Sequence, residues 1–242
     1  MRLSIVNPNA TESMTALVAE TARALAAPGT VIDARTNSDG PLSIEGVVDG
    51  ARAVPGMLDR LQAAERDGAE AHIIACFDDT GLDAARSLLS APVIGIGEAG
   101  AKAASFLAHR FCVVTTLSVS VPILEDNLRR YGLSERASVR ASEVPVLALE
   151  ADPDAAVRRI SDEIARAIAD MRAEAIVLGC AGMTAMAGEL SRRHGVPVVD
   201  GVAAAVKFAE GLAALGLRSS KRGLYASPRS ADEKTRDMGE QT

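Results

Sequence analysis

The stretch Ala69-Glu70-Ala71-His72-Ile73-Ile74-Ala75-Cys76 aligns without a gap on Ala173-Glu174-Ala175-Ile176-Val177-Leu178-Gly179-Cys180. Both begin Ala-Glu-Ala, run through apolar residues suited to a buried strand, and end in cysteine. Thr80 and Thr184 each lie four residues past their cysteine, and Pro92-Val93-Ile94 corresponds to Pro197-Val198-Val199 after a single insertion. Upstream, Leu3–Val6 leading into Asn7-Pro8-Asn9 is matched by Phe111–Val114 leading into Thr115-Thr116. The chain reads as one structural unit used twice.

Outward from these segments, short apolar runs alternate with longer stretches of helical period, the pattern of βα units around a parallel sheet. Strands are expected at Leu3–Val6, Val31–Ala34, Ala71–Ala75, Val93–Ile96, Phe111–Val114, Ser138–Ala141, Ala175–Gly179 and Val196–Val199. Clear helices are Thr11–Ala27, opened by Thr11 and closed by Pro28-Gly29, and Asp154–Arg172. The expected class is α/β, with two similar parallel-sheet domains related by pseudo-two-fold symmetry and a site in the cleft between them. Residues 1–96 with about 205–242 form the first half and 97–204 the second. The length of 242 residues suits two small cores better than one.

Composition narrows the partners. A net charge of −6 supplies no basic field, and 2% aromatic residues without tryptophan leave few rings to stack on bases, so nucleic acid and anionic membranes are not expected ligands. The first apolar run is broken at once by Asn7-Pro8-Asn9, unlike a secretory signal, and no run approaches the roughly 18 apolar residues of a membrane span. The expected location is the cytoplasm, where three sparse cysteines are buried, metal-bound or catalytic rather than bridged.

In open parallel sheets ligands sit beyond the carboxyl ends of the strands, where both repeated cysteines, the Asn-Pro-Asn loop and the Thr-Thr loop fall. Two halves facing each other bring Cys76 and Cys180 to opposite faces of one small ligand. Inverting a carbon beside a carbonyl needs a base on one face and an acid on the other, and a thiolate with a thiol supplies both symmetrically. The turn after each cysteine is expected to open a helix, whose N-terminal partial charge favours the thiolate. Neither metal nor cofactor is required. Cys112 lies within an apolar strand and reads as core. The close Cys/His spacing of a zinc site is absent, and His72, His109 and His194 read as packing or surface residues. Gly95, Gly97 and Gly100 imitate a dinucleotide loop only loosely, without the acidic residue that should follow. Thr115, Thr116, Ser118 and Ser120 are candidates to cap the next helix or bind substrate oxygens.

Several runs carry a family resemblance: Ile5-Val6-Asn7-Pro8-Asn9, Ile74-Ala75-Cys76-Phe77-Asp78-Asp79-Thr80-Gly81-Leu82, Val177-Leu178-Gly179-Cys180-Ala181-Gly182-Met183, and Ser219-Ser220-Lys221 with Tyr225 and Pro228. Together they resemble the hydantoin racemase and allantoin racemase branch of the aspartate/glutamate racemase superfamily over nearly the whole chain. The resemblance implies two flavodoxin-like domains, homo-oligomers, and cofactor-independent racemisation of 5-substituted hydantoins at C5 by Cys76 and Cys180. Asn9 and the backbone amides beside Phe77, Ala181 and Gly182 are expected to hold the ring, with Phe77 and Met183 as an apolar wall. Ser43, Ile44, Asp78, Thr116 and Ser118 complete the candidate substrate-binding set. Many hydantoin racemases resemble Phe-Gly-Asp-Pro-Gly after the first cysteine, where this chain has Phe77-Asp78-Asp79-Thr80-Gly81; many carry Pro-Arg where it has Ser118-Val119. Allantoin, a hydantoin with a polar ureido group at C5, ranks behind a general 5-substituted hydantoin. A small-diacid isomerase or decarboxylase on the same scaffold predicts a strong carboxylate site. A non-catalytic sensor of a small metabolite leaves two equivalent thiols unexplained.

Overall fold

The apolar runs fold into two four-stranded parallel sheets. The structure, a computed structural model, describes residues 1–229. The first sheet contains β1 (Arg2–Asn7), β2 (Val31–Thr36), β3 (Ala71–Ile74) and β4 (Val93–Gly95), in the order β2-β1-β3-β4. The second contains β5 (Phe111–Thr115), β6 (Ala137–Ala141), β7 (Ala175–Gly179) and β8 (Val198–Asp200), in the matching order β6-β5-β7-β8. Register repeats too: Ile5 pairs with Ile73 as Val113 pairs with Val177.

Strand limits move by one or two residues from expectation, and two of these shifts have a local cause. Ile96 starts a helix instead of ending β4, and Val196-Pro197 precede β8. Pro197 has no N–H to give a ladder, although its carbonyl still accepts from Ile176 N at 2.8 Å.

The helices are α1 (Glu12–Leu25), α2 (Val47–Arg66), α3 (Leu82–Leu88), α4 (Ile96–Leu107), α5 (Val121–Arg130), α6 (Ala148–Ala151), α7 (Pro153–Met171), α8 (Ala187–His194) and α9 (Gly201–Ala214). α7 begins just before its expected start because the Asp152 carboxylate accepts Ala155 N and Pro153 occupies the first turn. Asp200 likewise caps α9 through Val202 N and Ala203 N. Among the described residues no helix is long and apolar enough to cross a membrane.

Strand alternation sorts the core into three parts. Leu3, Ile5, Ile73, Val113 and Val177 face a cluster shared by both halves. Val6 and Ile74 face a separate core under α2 and α3, while Cys112, Val114, Ile176 and Leu178 face one under α7. Cys112 is fully buried there. α4 packs on β7 of the other sheet, and its counterpart α9 packs on β3 and β4 of the first. On this exchange we propose the division 1–96 with 205 onward and 97–204. Residues from 230 on, which include most of the polar tail expected to fray beyond Pro228, lie outside the described residues.

The two exchanged helices cross closely. A Cβ on Gly201 would sit 2.4 Å from the Ile96 carbonyl oxygen, and one on Gly100 would sit 2.9 Å from Val177 Cγ1. Gly95 and Gly97 are equally constrained, since Cβ atoms there would lie 2.1 Å from Asp79 Oδ1 and 2.2 Å from the Phe77 oxygen. The loose glycine pattern therefore serves close packing.

Candidate active site

Each sheet has its switch point between its two central strands, β1 and β3 or β5 and β7, which is where parallel sheets open a crevice. β1 ends in Asn7, β3 runs into Cys76, β5 ends in Thr115 and β7 runs into Cys180, and all four ends line one cavity of about 40 Å³. That is room for a few waters or one small, closely held ring. The two repeated cysteines line this space and are half-buried, whereas Cys112 is sealed in the core.

The repeat extends to the groups that act on each sulfur. The backbone N–H two residues past each cysteine favours its thiolate: that of Asp78 for Cys76, and that of Gly182 for Cys180. Symmetry ends there. Thr80 Oγ1 lies 3.7 Å from the Cys76 sulfur, while the equivalent Thr184 hydroxyl donates instead to Asp200. Burial pushes the Cys180 thiol up to about 11, and pushes Cys76 higher still, with the nearby Asp78 charge adding to both. The expected thiolate-favouring helix ends do not prevail. α3 starts only at Leu82, six positions past Cys76, and Cys180 precedes a short 3-10 segment, Ala181–Met186, so loss of water outweighs the few aligned amides.

The Asn-Pro-Asn turn is held by its own side chains. Asn7 Nδ2 donates to Asn9 Oδ1 at 2.8 Å, and Thr11 N donates to the same oxygen at 3.0 Å. Asn9 Nδ2 is left with only the Met14 thioether at 3.5 Å, a weak acceptor. The carboxamide is thus oriented so that its N–H group remains free for a ligand oxygen.

The two aspartates after Cys76 point in opposite directions. Asp79, at φ +50°, accepts from Gly97 N at 3.0 Å, Glu98 N at 2.7 Å and the Tyr131 hydroxyl, pinning the turn to the start of α4 and to α5. Burial raises its carboxyl to about 7 despite those donors. Asp78 lines the cavity, and burial raises its carboxyl to about 6, opposed by the Ser120 hydroxyl.

Sequence and structure comparisons identify the family. The family described as Asp/Glu/Hydantoin racemase matches residues 3–209. The chain belongs to that family. It is 48% identical to a hydantoin racemase of Rhizobium meliloti over 230 residues, 95% of each chain. Two solved structures superpose with a TM-score of 0.92: allantoin racemase from Klebsiella pneumoniae, at 43% identity over 95% of this chain and 94% of that one, and allantoin racemase from Pseudomonas fluorescens, at 45% identity over 95% and 98%. The protein is an enzyme of the racemase class, and a small molecule is its substrate.

In this racemase family member the cavity gathers Asn9, Ile44, Cys76, Phe77, Asp78, Thr116, Cys180, Ala181 and Gly182 from the expected set. Three expected residues lie elsewhere. Ser43 is half-buried off the lining, and Ser118 is exposed, since the short 3-10 turn Ser118–Ser120 presents Ser120 to the cavity instead. Met183 is fully buried in the core under α7, and the apolar lining beside Phe77 includes Ile44 and Val146 instead. Met14 and Val18, also on the lining, were missed; their four-residue spacing at the start of the helix after Asn9 was a signal for them. Val146, in an irregular segment, had none. Among the described residues no cluster of three or more His, Cys, Asp or Glu side chains is placed to hold a metal ion.

Proposed function

We propose that this enzyme racemises 5-substituted hydantoins by two-base proton transfer at C5, without a cofactor, with Cys76 and Cys180 on opposite faces of the ring. The observation that carries the proposal is that the equivalent ends of β3 and β7 bring both cysteines to the lining of one narrow cavity. The named substrates of the relatives support the choice of ring.

One sulfur, as thiolate, removes the C5 proton. The C–H electron pair moves toward C4, giving an enolate whose charge lies on the C4 oxygen, and Asn9 Nδ2 donates to that oxygen. The opposite thiol then protonates C5 from the other face, leaving the thiol and thiolate exchanged. The opposite enantiomer reverses the roles. Burial makes each thiolate scarce at neutral pH but also a stronger base, better matched to a weak carbon acid. Phe77, Ile44 and Val146 keep the site largely apolar, which strengthens donor bonds to the enolate.

A diacid substrate fits less well. Among the described residues the lining carries Asp78 and no Lys or Arg to meet a carboxylate.

The test follows optical rotation and deuterium incorporation at C5 in heavy water, with enantiopure 5-substituted hydantoins and allantoin. Wild type is expected to racemise with deuterium uptake. Cys76→Ser and Cys180→Ser should each lose racemisation while keeping exchange of opposite enantiomers. Full racemisation by either variant overturns the two-base mechanism.

A further inference from the structure

Among the described residues Asp78 is the one charged side chain on the cavity wall. Its main chain is anchored through its carbonyl, which accepts Asn127 Nδ2 from α5 at 2.8 Å. The carboxylate itself meets the Ser120 hydroxyl at 3.4 Å and no other donor among the described residues. The neighbouring polar groups are spent elsewhere: Asp79 on Gly97, Glu98 and Tyr131, Thr80 beside the Cys76 sulfur, and Ser118, in the next turn, on solvent.

We propose that Asp78 determines substrate choice, selecting rings whose C5 substituent carries N–H donors, such as a ureido group, over rings with an alkyl substituent. The inference rests on the racemase reading above and names the substituent which that reading leaves open.

The placement follows from charge. A carboxylate beside the enolate oxygen would oppose the negative charge that forms there, so Asp78 belongs on the side of the ring away from C4=O, where the C5 substituent lies. Asn9, from the other strand end, serves the oxygen. A buried carboxylate short of donors is costly, and a ureido group brings N–H bonds that an alkyl chain cannot. Sites built around such bonds discriminate more sharply than apolar pockets do, because the analogue without the donor leaves the polar group stranded.

The experiment compares kcat/KM for racemisation of enantiopure allantoin and enantiopure 5-isobutylhydantoin, using wild type, Asp78→Asn and Asp78→Leu, with thermal melting of each protein. The expected result is a wild-type ratio in favour of allantoin that falls by about tenfold to a hundredfold in the variants, as for loss of a hydrogen bond to a charged group. Asp78→Leu should fall furthest. A third ligand, a 5-ureidohydantoin methylated on its ureido nitrogens, removes the donors without altering the protein. Its kcat/KM with wild type should fall toward that of the alkyl ring, which keeps the test open if a variant does not fold. An unchanged ratio with equal losses for both substrates overturns the inference, because Asp78 would then serve the ring, the thiol or the turn. Turnover of neither substrate by wild type overturns the racemase reading and this inference with it, whereas turnover without preference overturns this inference alone.

Discussion

Glu45 Oε1 accepts the backbone N–H of Val146 at 3.0 Å, tying the loop after β2 to the segment after β6 across the cavity wall. Ile44 and Val146, the neighbours of this bond, both line the cavity, so the bond holds the two halves together at its edge. Glu45→Ala is expected to cost about 1 kcal/mol of stability, a typical part-buried hydrogen bond, and to loosen the edge. The check is the rate of thiol alkylation at Cys76 and Cys180, which should rise several-fold while KM increases more than kcat changes. Unchanged alkylation would show that this bond does not control access.

Asn9 is held for a single task. With Oδ1 occupied by Asn7 and Thr11, only Nδ2 is available to a substrate oxygen. Asn9→Ala should lower kcat by about a hundredfold to a thousandfold, the usual effect of deleting one donor to a developing oxyanion. Asn9→Asp should be worse, since it places a negative charge where the enolate forms. An unchanged kcat in Asn9→Ala would remove this side chain from the reaction.

The raised thiols set a pH dependence. Because burial lifts Cys180 to about 11 and Cys76 further, each folded thiol holds its proton more tightly than the unfolded one. Thiolate therefore forms only as pH rises. Iodoacetamide should react with the ligand-free enzyme about tenfold faster per pH unit, without levelling near about 8.5 as an open cysteine would. The stabilising effect of both groups is complete below about 9; that of Cys180 is lost as pH climbs through 11, and that of Cys76 only at higher pH. A plateau at neutral pH would mean that the sulfurs are well hydrated.

Asp78 titrates in a lower window. Its folded carboxyl is raised to about 6 from 3.8, so its contribution to stability is present below about 4 and declines as pH passes 6. Preference for a ureido substituent should move the other way, growing as pH rises through 6 and the carboxylate forms. The groups facing it, the Ser120 hydroxyl and the Cys76 and Cys180 thiols, stay neutral across that range. The ratio of allantoin to 5-isobutylhydantoin kcat/KM between pH 5 and 8 tests this, with Asp78→Asn expected to show a flat profile.

The crossing of α4 and α9 offers a stability test remote from the chemistry. Gly201→Ala forces a Cβ to within 2.4 Å of the Ile96 oxygen, a backbone atom that cannot swing aside. Overpacking of this kind typically costs about 1–3 kcal/mol. Urea unfolding should register the loss, while Gly211→Ala further along α9, with nothing within 4 Å, should be neutral or stabilising.

Much of the molecule was legible before folding because it is written in local periodicity. Apolar runs ending in polar turns marked all eight strands, and the gapless match of Ala69–Cys76 with Ala173–Cys180 put two thiols at equivalent strand ends. Strand ends in a parallel sheet share one edge by construction, so the cavity's four corners followed. What local pattern did not determine was facing and hydration. Ser120 rather than Ser118, and Val146 rather than Met183, reach the cavity because distant segments set how each turn rotates. The same holds for the thiols: a helix-end effect is readable from neighbours in sequence, but the stronger desolvation of Cys76 and Cys180 comes from the whole wall of both halves, which exists only once the chain has closed around them.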